Sequence, residues 1–240
     1  RAYDQVIHDV CLQNLPVIFC LDRAGLAGAD GATHHGNYDI SYMRCIPNMI
    51  VFAPRNEEEL RNIMYTASLD KFKELRQAIT IRYPRGEGVM PAWKTPFKEI
   101  EIGKGIQLIE GKDIAIVSLG NIGNQAIKAC EILHKQGVEA ALFDMRFAKP
   151  LDESLLHEIL SNYKQIVTIE DSALKGGFGS AVAEFAIDHH YTVPITRLGI
   201  PDEVIEHGEQ MELYKICGID AESIANKIAL FKENIRTFAP

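Results

Sequence analysis

The opening residues RAYDQVIHDVCLQN set Val6 and Val10 on one face, with Tyr3 a turn earlier, a 3.6-residue period that predicts a helix with one buried side. No capping residue and no methionine stand before it, so the chain is expected to start inside an element, as a fragment of a longer polypeptide. The rhythm then changes. LPVIFCLD (15–22), NMIVFAP (48–54) and AITIRYP (78–84) are short unbroken apolar runs that read as buried strands, while NEEELRNIMYTASL (56–69) returns to helical spacing. Buried strands alternating with helices predict parallel βαβ units. RGEGVMPAWKTPFKEIEIGKG (85–105) loses periodicity and gathers glycine and proline, the composition of a linker.

A second alternation follows. KDIAIVSLG, VEAALFDM, QIVTIED and TVPITRLGI read as strands, and NQAIKACEILHKQG, DESLLHEILSNY, SAVAEFAIDHH and AESIANKIALFKENI as helices. In the helix 152–163, Leu155, Leu156, Ile159 and Leu160 form one stripe, which should pack on the sheet. The expected fold class is α/β: two open sheets covered by helices, a first domain over 1–95, a linker over 96–110 and a second domain over 111–240.

Composition narrows the function. The chain has 240 residues, 47% hydrophobic and 24% charged, which is ordinary globular composition. A net charge of -8 argues against nucleic-acid binding, because phosphates are neutralised by a concentrated basic face. Five widely spaced cysteines, mostly in apolar segments, read as reduced core thiols of a cytoplasmic protein. No apolar run approaches the roughly 18 residues of a membrane helix, and no signal peptide is visible.

Candidate chemistry gathers beyond the strand ends, where open α/β sheets bind ligands. Asp22 and Arg23 follow the first strand, Pro54 and Arg55 the second, and Arg82 and Arg85 the third. Arg23 and Arg85 can converge on one anion as a phosphate clamp, or form surface salt bridges to the local carboxylates. The loop CLDRAGLAGADGATHHG holds glycines 25, 28, 31 and 36, which permit close approach to a ligand. Asp30 and His34 can place a carboxylate beside an imidazole that gives or takes a proton near neutral pH; the plain reading is a turn cap beside solvated histidines. Adjacent His34 and His35 point apart and lack a third ligand, which disfavours a metal. SLGNIGNQA can seat a phosphate at a helix start, though it lacks a P-loop lysine and a full dinucleotide fingerprint, and a tight turn is the simpler reading. In EDSALKGGFGSAVAEF the glycines most simply permit close packing.

RAYDQ, DRAGLAGADGATHHG, SYMRCIPNM, RYPRG, IGKG, DMRFAKPLDE, the run from IED to GGFGS, and LGIPDE, in that order, closely resemble the last two domains of the thiamine-diphosphate-dependent transketolase-like family. The resemblance runs from Arg1 to about Ile228. It implies a pyrimidine-binding-type domain, lacking its N-terminal part, followed by a transketolase C-terminal-type domain. It also implies a reaction in which pyruvate loses carbon dioxide and its other two carbons join the aldehyde of D-glyceraldehyde 3-phosphate, giving a deoxy sugar phosphate for isoprenoid, thiamine and pyridoxal synthesis. By position, Arg23 and Arg85 resemble the arginines that hold the acceptor's phosphate. Asp30 and His34 resemble the pair at the reacting carbons, and Arg1 resembles a further active-site arginine. The family's thiamine diphosphate and magnesium are bound by a preceding domain, so no cofactor or metal ligand is assigned here and the isolated chain is expected to be inactive. A homodimer is implied.

Two departures stand out. Leu69 to Gln77, LDKFKELRQ, is charged and helix-prone where a short glycine- or proline-bearing loop is expected, and His35 stands where the family often has glutamine. Two other functions remain open: a beta-subunit-like component of a 2-oxoacid dehydrogenase, which has no need of a phosphate clamp, and a non-catalytic dimerisation module.

Overall fold

A computed structural model describes residues 2–237; Arg1 lies outside the described residues. Helix α1 (Ala2–Gln5) continues into a wider π-helical turn over Val6–Cys11. Val6 and Val10 pack on the core, whereas Tyr3 reaches the surface and donates to the Tyr42 carbonyl at 2.5 Å. There follow β1 (Ile18–Leu21), α2 (Asp39–Arg44), β2 (Met49–Phe52), α3 (Glu57–Ser68), α4 (Asp70–Glu74) and β3 (Ala78–Arg82). The second half comprises β4 (Ile106–Ile109), β5 (Ile114–Leu119), α5 (Gly123–Lys135), β6 (Ala140–Asp144), β7 (Phe147–Lys149), α6 (Glu153–Asn162), β8 (Gln165–Ala173), α7 (Phe178–Asp188), β9 (Ile195–Ile200), α8 (Gln210–Cys217) and α9 (Ala221–Thr237).

Two sheets result, as the alternating runs predict. The first has the order β1-β3-β2-β7 and the second β4-β6-β5-β8-β9. In the first, β1, β3 and β2 run parallel, with Ile18 opposite Ile79 and Met49 opposite Ala78. Its fourth strand, β7, comes from the second half of the chain and lies antiparallel to β2. In the second, β6, β5, β8 and β9 are parallel and β4 is an antiparallel edge. Thus the stretch read as a linker ends in a paired strand. LDKFKELRQ forms the short helix α4 and then a turn at Leu75.

Strand alternation sorts side chains between layers. Ile114 and Ile116 of β5 enter a core with α5, α8 and α9, while Ala115, Val117 and Leu119 face the opposite way. That opposite layer joins Ile40 and Met43 of α2, Val51 of β2, Leu156 and Ile159 of α6, and Val182 of α7 in one cluster. One hydrophobic layer therefore lies between the sheets and holds them together. Arg44 of α2 adds an ion pair to Glu184 of α7. A third cluster, with Ile63, Phe72 and Ile100, covers the other face of the first sheet.

Candidate functional site

The loop after β1 is closed into a ring at its base. The Gly25 amide donates to the Gly36 carbonyl at 3.0 Å, and the Gly36 amide donates to the carbonyls of Gly25 at 2.8 Å and Arg23 at 3.1 Å. Two glycines are required here. A Cβ on Gly36 would collide with the Arg23 carbonyl, and Gly25, at φ +72°, lies where a Cβ would come 2.5 Å from Asp171 Oδ2. Arg23 itself adopts φ 60°, unusual for a side chain other than glycine. Its amide is held by Asp22 Oδ1 at 2.8 Å.

Beyond the strand ends Arg23 and Arg85 meet at Asp30, so the contacts seen are salt bridges to local carboxylates, the second of the two readings of these arginines. Arg23 Nε lies 3.3 Å from Asp30 Oδ2, and Arg85 Nη1 lies 3.0 Å from Asp30 Oδ1. Arg23 Nη1 also pairs with Asp22 at 2.5 Å, and Arg85 Nη1 donates to the Ala27 carbonyl at 3.3 Å. A guanidinium carries five N–H donors, so each arginine keeps donors beyond these contacts. The Asp30 carboxylate thus brings the two guanidinium groups together.

The histidines have different settings. His34 is exposed and its Nδ1 lies 3.0 Å from Thr33 Oγ1; Asp30 is engaged with the arginines instead. His35 is built into the loop: its Nδ1 accepts the Ala27 amide at 2.9 Å. That bond makes Nδ1 an acceptor, and Nε2 faces the Glu206 carbonyl at 3.4 Å.

Beneath the loop lies a buried ionic triad. Arg82, the last residue of β3, is buried; its Nε meets Asp39 Oδ2 at 2.7 Å and its Nη1 meets Asp171 Oδ1 at 2.6 Å. Burial opposes the charge on Arg82, but Asp171 and Asp39 outweigh it and raise the guanidinium pKa. Burial likewise pushes Asp171 up, against the pull of Arg82. Asp171 Oδ2 has no hydrogen-bond partner among the described residues. Asp39 and Asp171 escaped the reading of the sequence, although a signal existed. An arginine ending the apolar run AITIR must find carboxylates if it is buried, and the acidic pair after QIVTI ends a neighbouring apolar run.

A second charged cluster also joins the two halves of the chain. Asp144, fully buried at the end of β6, lies 3.5 Å from Arg55 Nε, and Arg146 Nη2 bonds Glu59 Oε1 at 2.7 Å. Burial pushes the Asp144 carboxyl up to about 7. The SLGNIGNQA turn packs here too: Asn124 donates to the Arg55 carbonyl at 2.9 Å. In EDSALKGGFGS, Glu170 accepts the amides of Phe178 and Gly179 at 2.7 and 2.8 Å, which caps the start of α7. Gly177 leaves room for that carboxylate. Two open cavities of about 460 Å³ each meet at Arg85, one running to Arg55, Asn124 and Lys128 and the other to Ala27 and Gly28.

Two helix-covered sheets, with an arginine-bearing glycine loop at the carboxyl ends of the first, define a two-domain α/β protein. The comparisons with known proteins name the family. The model described as "Transketolase, pyrimidine binding domain" matches residues 1–88, and that described as "Transketolase, C-terminal domain" matches 103–224. The chain belongs to the transketolase family. It is 60% identical over 228 residues to the 1-deoxy-D-xylulose-5-phosphate synthase of Cytophaga hutchinsonii, covering 95% of this chain and 35% of that protein. It is 54% identical over 232 residues to the synthase of Phocaeicola vulgatus, covering 96% and 36%. The chain thus spans about a third of the length of these relatives. Among solved structures, "Split gene transketolase, inactive beta4 tetramer" superposes with a TM-score of 0.79 at 32% identity, over 94% of this chain and 70% of that one. A transketolase of Pichia stipitis, at 18% identity and a TM-score of 0.66 over 91% of this chain and 30% of that one, shares the fold.

Proposed function

We propose that this chain is the C-terminal two-domain portion of a 1-deoxy-D-xylulose-5-phosphate synthase, and that Arg23 and Arg85 hold the phosphate of its D-glyceraldehyde 3-phosphate acceptor. The observation that supports the reading is that both arginines meet at Asp30 beyond the β1 and β3 ends, with Arg23 and Asp30 in the loop that carries the most specific stretch of the family resemblance. In the proposed reaction, the bond between the carboxylate and the carbonyl carbon of pyruvate breaks and carbon dioxide leaves. The other two carbons bond to the aldehyde carbon of the acceptor, whose oxygen takes a proton. His34, exposed at the loop, is the proposed donor of that proton, with Asp30 setting the charge around it; His35 is occupied in holding the loop. Arg1 is proposed as a further active-site arginine.

Thiamine diphosphate supplies the carbanion chemistry in this reading, and magnesium binds its diphosphate. The residues described here do not fit the metal-bound end of the cofactor: no group of three or more His, Cys, Asp and Glu among them is placed to hold a metal ion. Those ligands are proposed to lie in the rest of the polypeptide. The 240-residue chain alone is therefore proposed to be inactive, and turnover by it above a mock purification would overturn that point.

The test compares D-glyceraldehyde 3-phosphate with unphosphorylated glyceraldehyde in the complete enzyme, wild type against Arg23→Ala/Arg85→Ala. Each lost charged contact should cost roughly 1.5–3 kcal/mol, so the double variant should lose at least about a hundredfold of its preference for the phosphorylated acceptor. A preference that survives intact places the phosphate elsewhere. For the proton donor, His34→Ala should lower kcat more than His35→Ala; equal losses would remove His34 from that role.

A further inference from the structure

The substrate loop belongs to the first sheet by sequence, yet the second half of the chain holds it at several places. Gln210, the first residue of α8, donates its side-chain amide to the Leu26 carbonyl at 2.9 Å. The Glu206 carbonyl faces His35 Nε2 at 3.4 Å. At the end of β8, the Ser172 hydroxyl and the Ala173 amide both donate to the Asn37 carbonyl at 2.8 Å. Asp171 sits among these contacts. Its Oδ1 takes Arg82 at 2.6 Å, and its Oδ2 packs against Gly25, where only a hydrogen fits. Arg82 in turn holds Asp39, just past the end of the loop, and leads through Tyr83 and Pro84 to Arg85. Asp171 therefore touches the beginning of the loop directly and, through one buried guanidinium, both its far end and the RYPRG segment.

We infer that Asp171 and Gln210 are positioning residues for the anion clamp: the C-terminal domain moulds the loop so that Arg23 and Arg85 meet. Asp171 is buried and does not reach a bound phosphate; Gln210 borders both cavities at Arg85 and acts in this scheme through its bond to the Leu26 carbonyl. The inference rests on the proposed role of the two arginines and adds a function for the second domain, which sets the affinity of a site built on the first.

The sign of the effect separates positioning from plain electrostatics. Removing a negative charge near two cations should strengthen anion binding if only long-range Coulomb forces matter. Positioning requires the reverse.

The experiment measures inorganic phosphate binding to the complete enzyme at low ionic strength, with thermal unfolding recorded on the same samples, for wild type, Arg23→Ala/Arg85→Ala, Asp171→Asn and Gln210→Ala. Asp171→Asn is expected to weaken phosphate binding by about tenfold or more, because Arg82 loses one of its two buried charged hydrogen bonds. Gln210→Ala removes one neutral hydrogen bond and is expected to weaken binding about fivefold. A role in folding alone would lower the melting temperature and leave the affinity of the folded molecules unchanged. Unchanged or tighter binding by folded Asp171→Asn overturns the inference; should that variant not fold, unchanged binding by Gln210→Ala does so. If wild type binds no phosphate, or binds it equally without Arg23 and Arg85, the clamp itself fails. Loss in the arginine variant with retention in the other two leaves the clamp standing and removes only the positioning role.

Discussion

Buried carboxylates set how this chain responds to pH. Burial pushes Asp144 and Glu170 up to about 7 each, more than the hydrogen bonds from Arg146 and from Phe178 and Gly179 pull them down. A carboxyl whose folded pKa is raised binds its proton more tightly in the native chain than in the unfolded one, so its stabilisation is complete below the unfolded value and is lost as pH rises through the folded one. The melting temperature is accordingly expected to fall between pH about 4 and about 7. In Asp144→Asn, which keeps an acceptor for the Arg146 amide, that slope should flatten, and scanning calorimetry across the range would show it. Arg82 poses the opposite case, since replacing it with methionine leaves Asp39 and Asp171 buried without their counter-charge. Denaturant titration should register a loss of roughly 3–5 kcal/mol. At this scale the sequence made Arg23 and Arg85 legible, because strand ends in open sheets point toward one edge. That Asp30 serves both arginines was not legible from its spacing of four residues to His34: Arg23 lies seven positions before it and Arg85 55 positions after.

Helix starts show local chemistry that can be read and long-range consequences that cannot. Asn56 Oδ1 accepts the Glu59 amide at 3.0 Å, and three glutamates follow in the first turn of α3, a favourable arrangement at the positive end of a helix. Asn56→Ala should cost about 1 kcal/mol in a denaturant melt. Asp152 caps α6 through the Leu155 amide at 3.2 Å, but it also takes the Gly105 amide at 3.1 Å and Lys104 Nζ at 3.2 Å. Asp152→Ala should therefore cost more than a cap alone, about 2 kcal/mol, because the lead-in to β4 loses its anchor with it. The long alternating elements of both sheets were legible from period alone. β7, α2 and α8 were not. β7 has three residues and exists by pairing with β2, nearly a hundred residues earlier. DISYMR is six residues long, too short to show a helical period. In β4, alternation is hidden by the glycines and prolines before it, and the strand is defined by the partner β6.

Across the whole molecule, one apolar layer serves both sheets, and the strand that completes the first sheet is contributed by the half of the chain that builds the second. Unfolding should therefore be a single cooperative transition, with far-ultraviolet circular dichroism and tyrosine fluorescence changing together; two separated midpoints would show that the halves melt independently. A polypeptide ending near Trp93 should be largely unstructured, because it lacks β7, the Asp171 that neutralises Arg82, and the α6–α7 face of the common core. The residues from Pro84 to Lys98 form no strand or helix, and a break there severs no element. Each resulting piece would carry what its counterpart lacks: a strand for an open sheet edge, a carboxylate for a stranded guanidinium. Mixed after separate denaturation, two such pieces should rejoin as a stoichiometric pair, which makes the interval a natural place to divide the chain into a self-reassembling split protein.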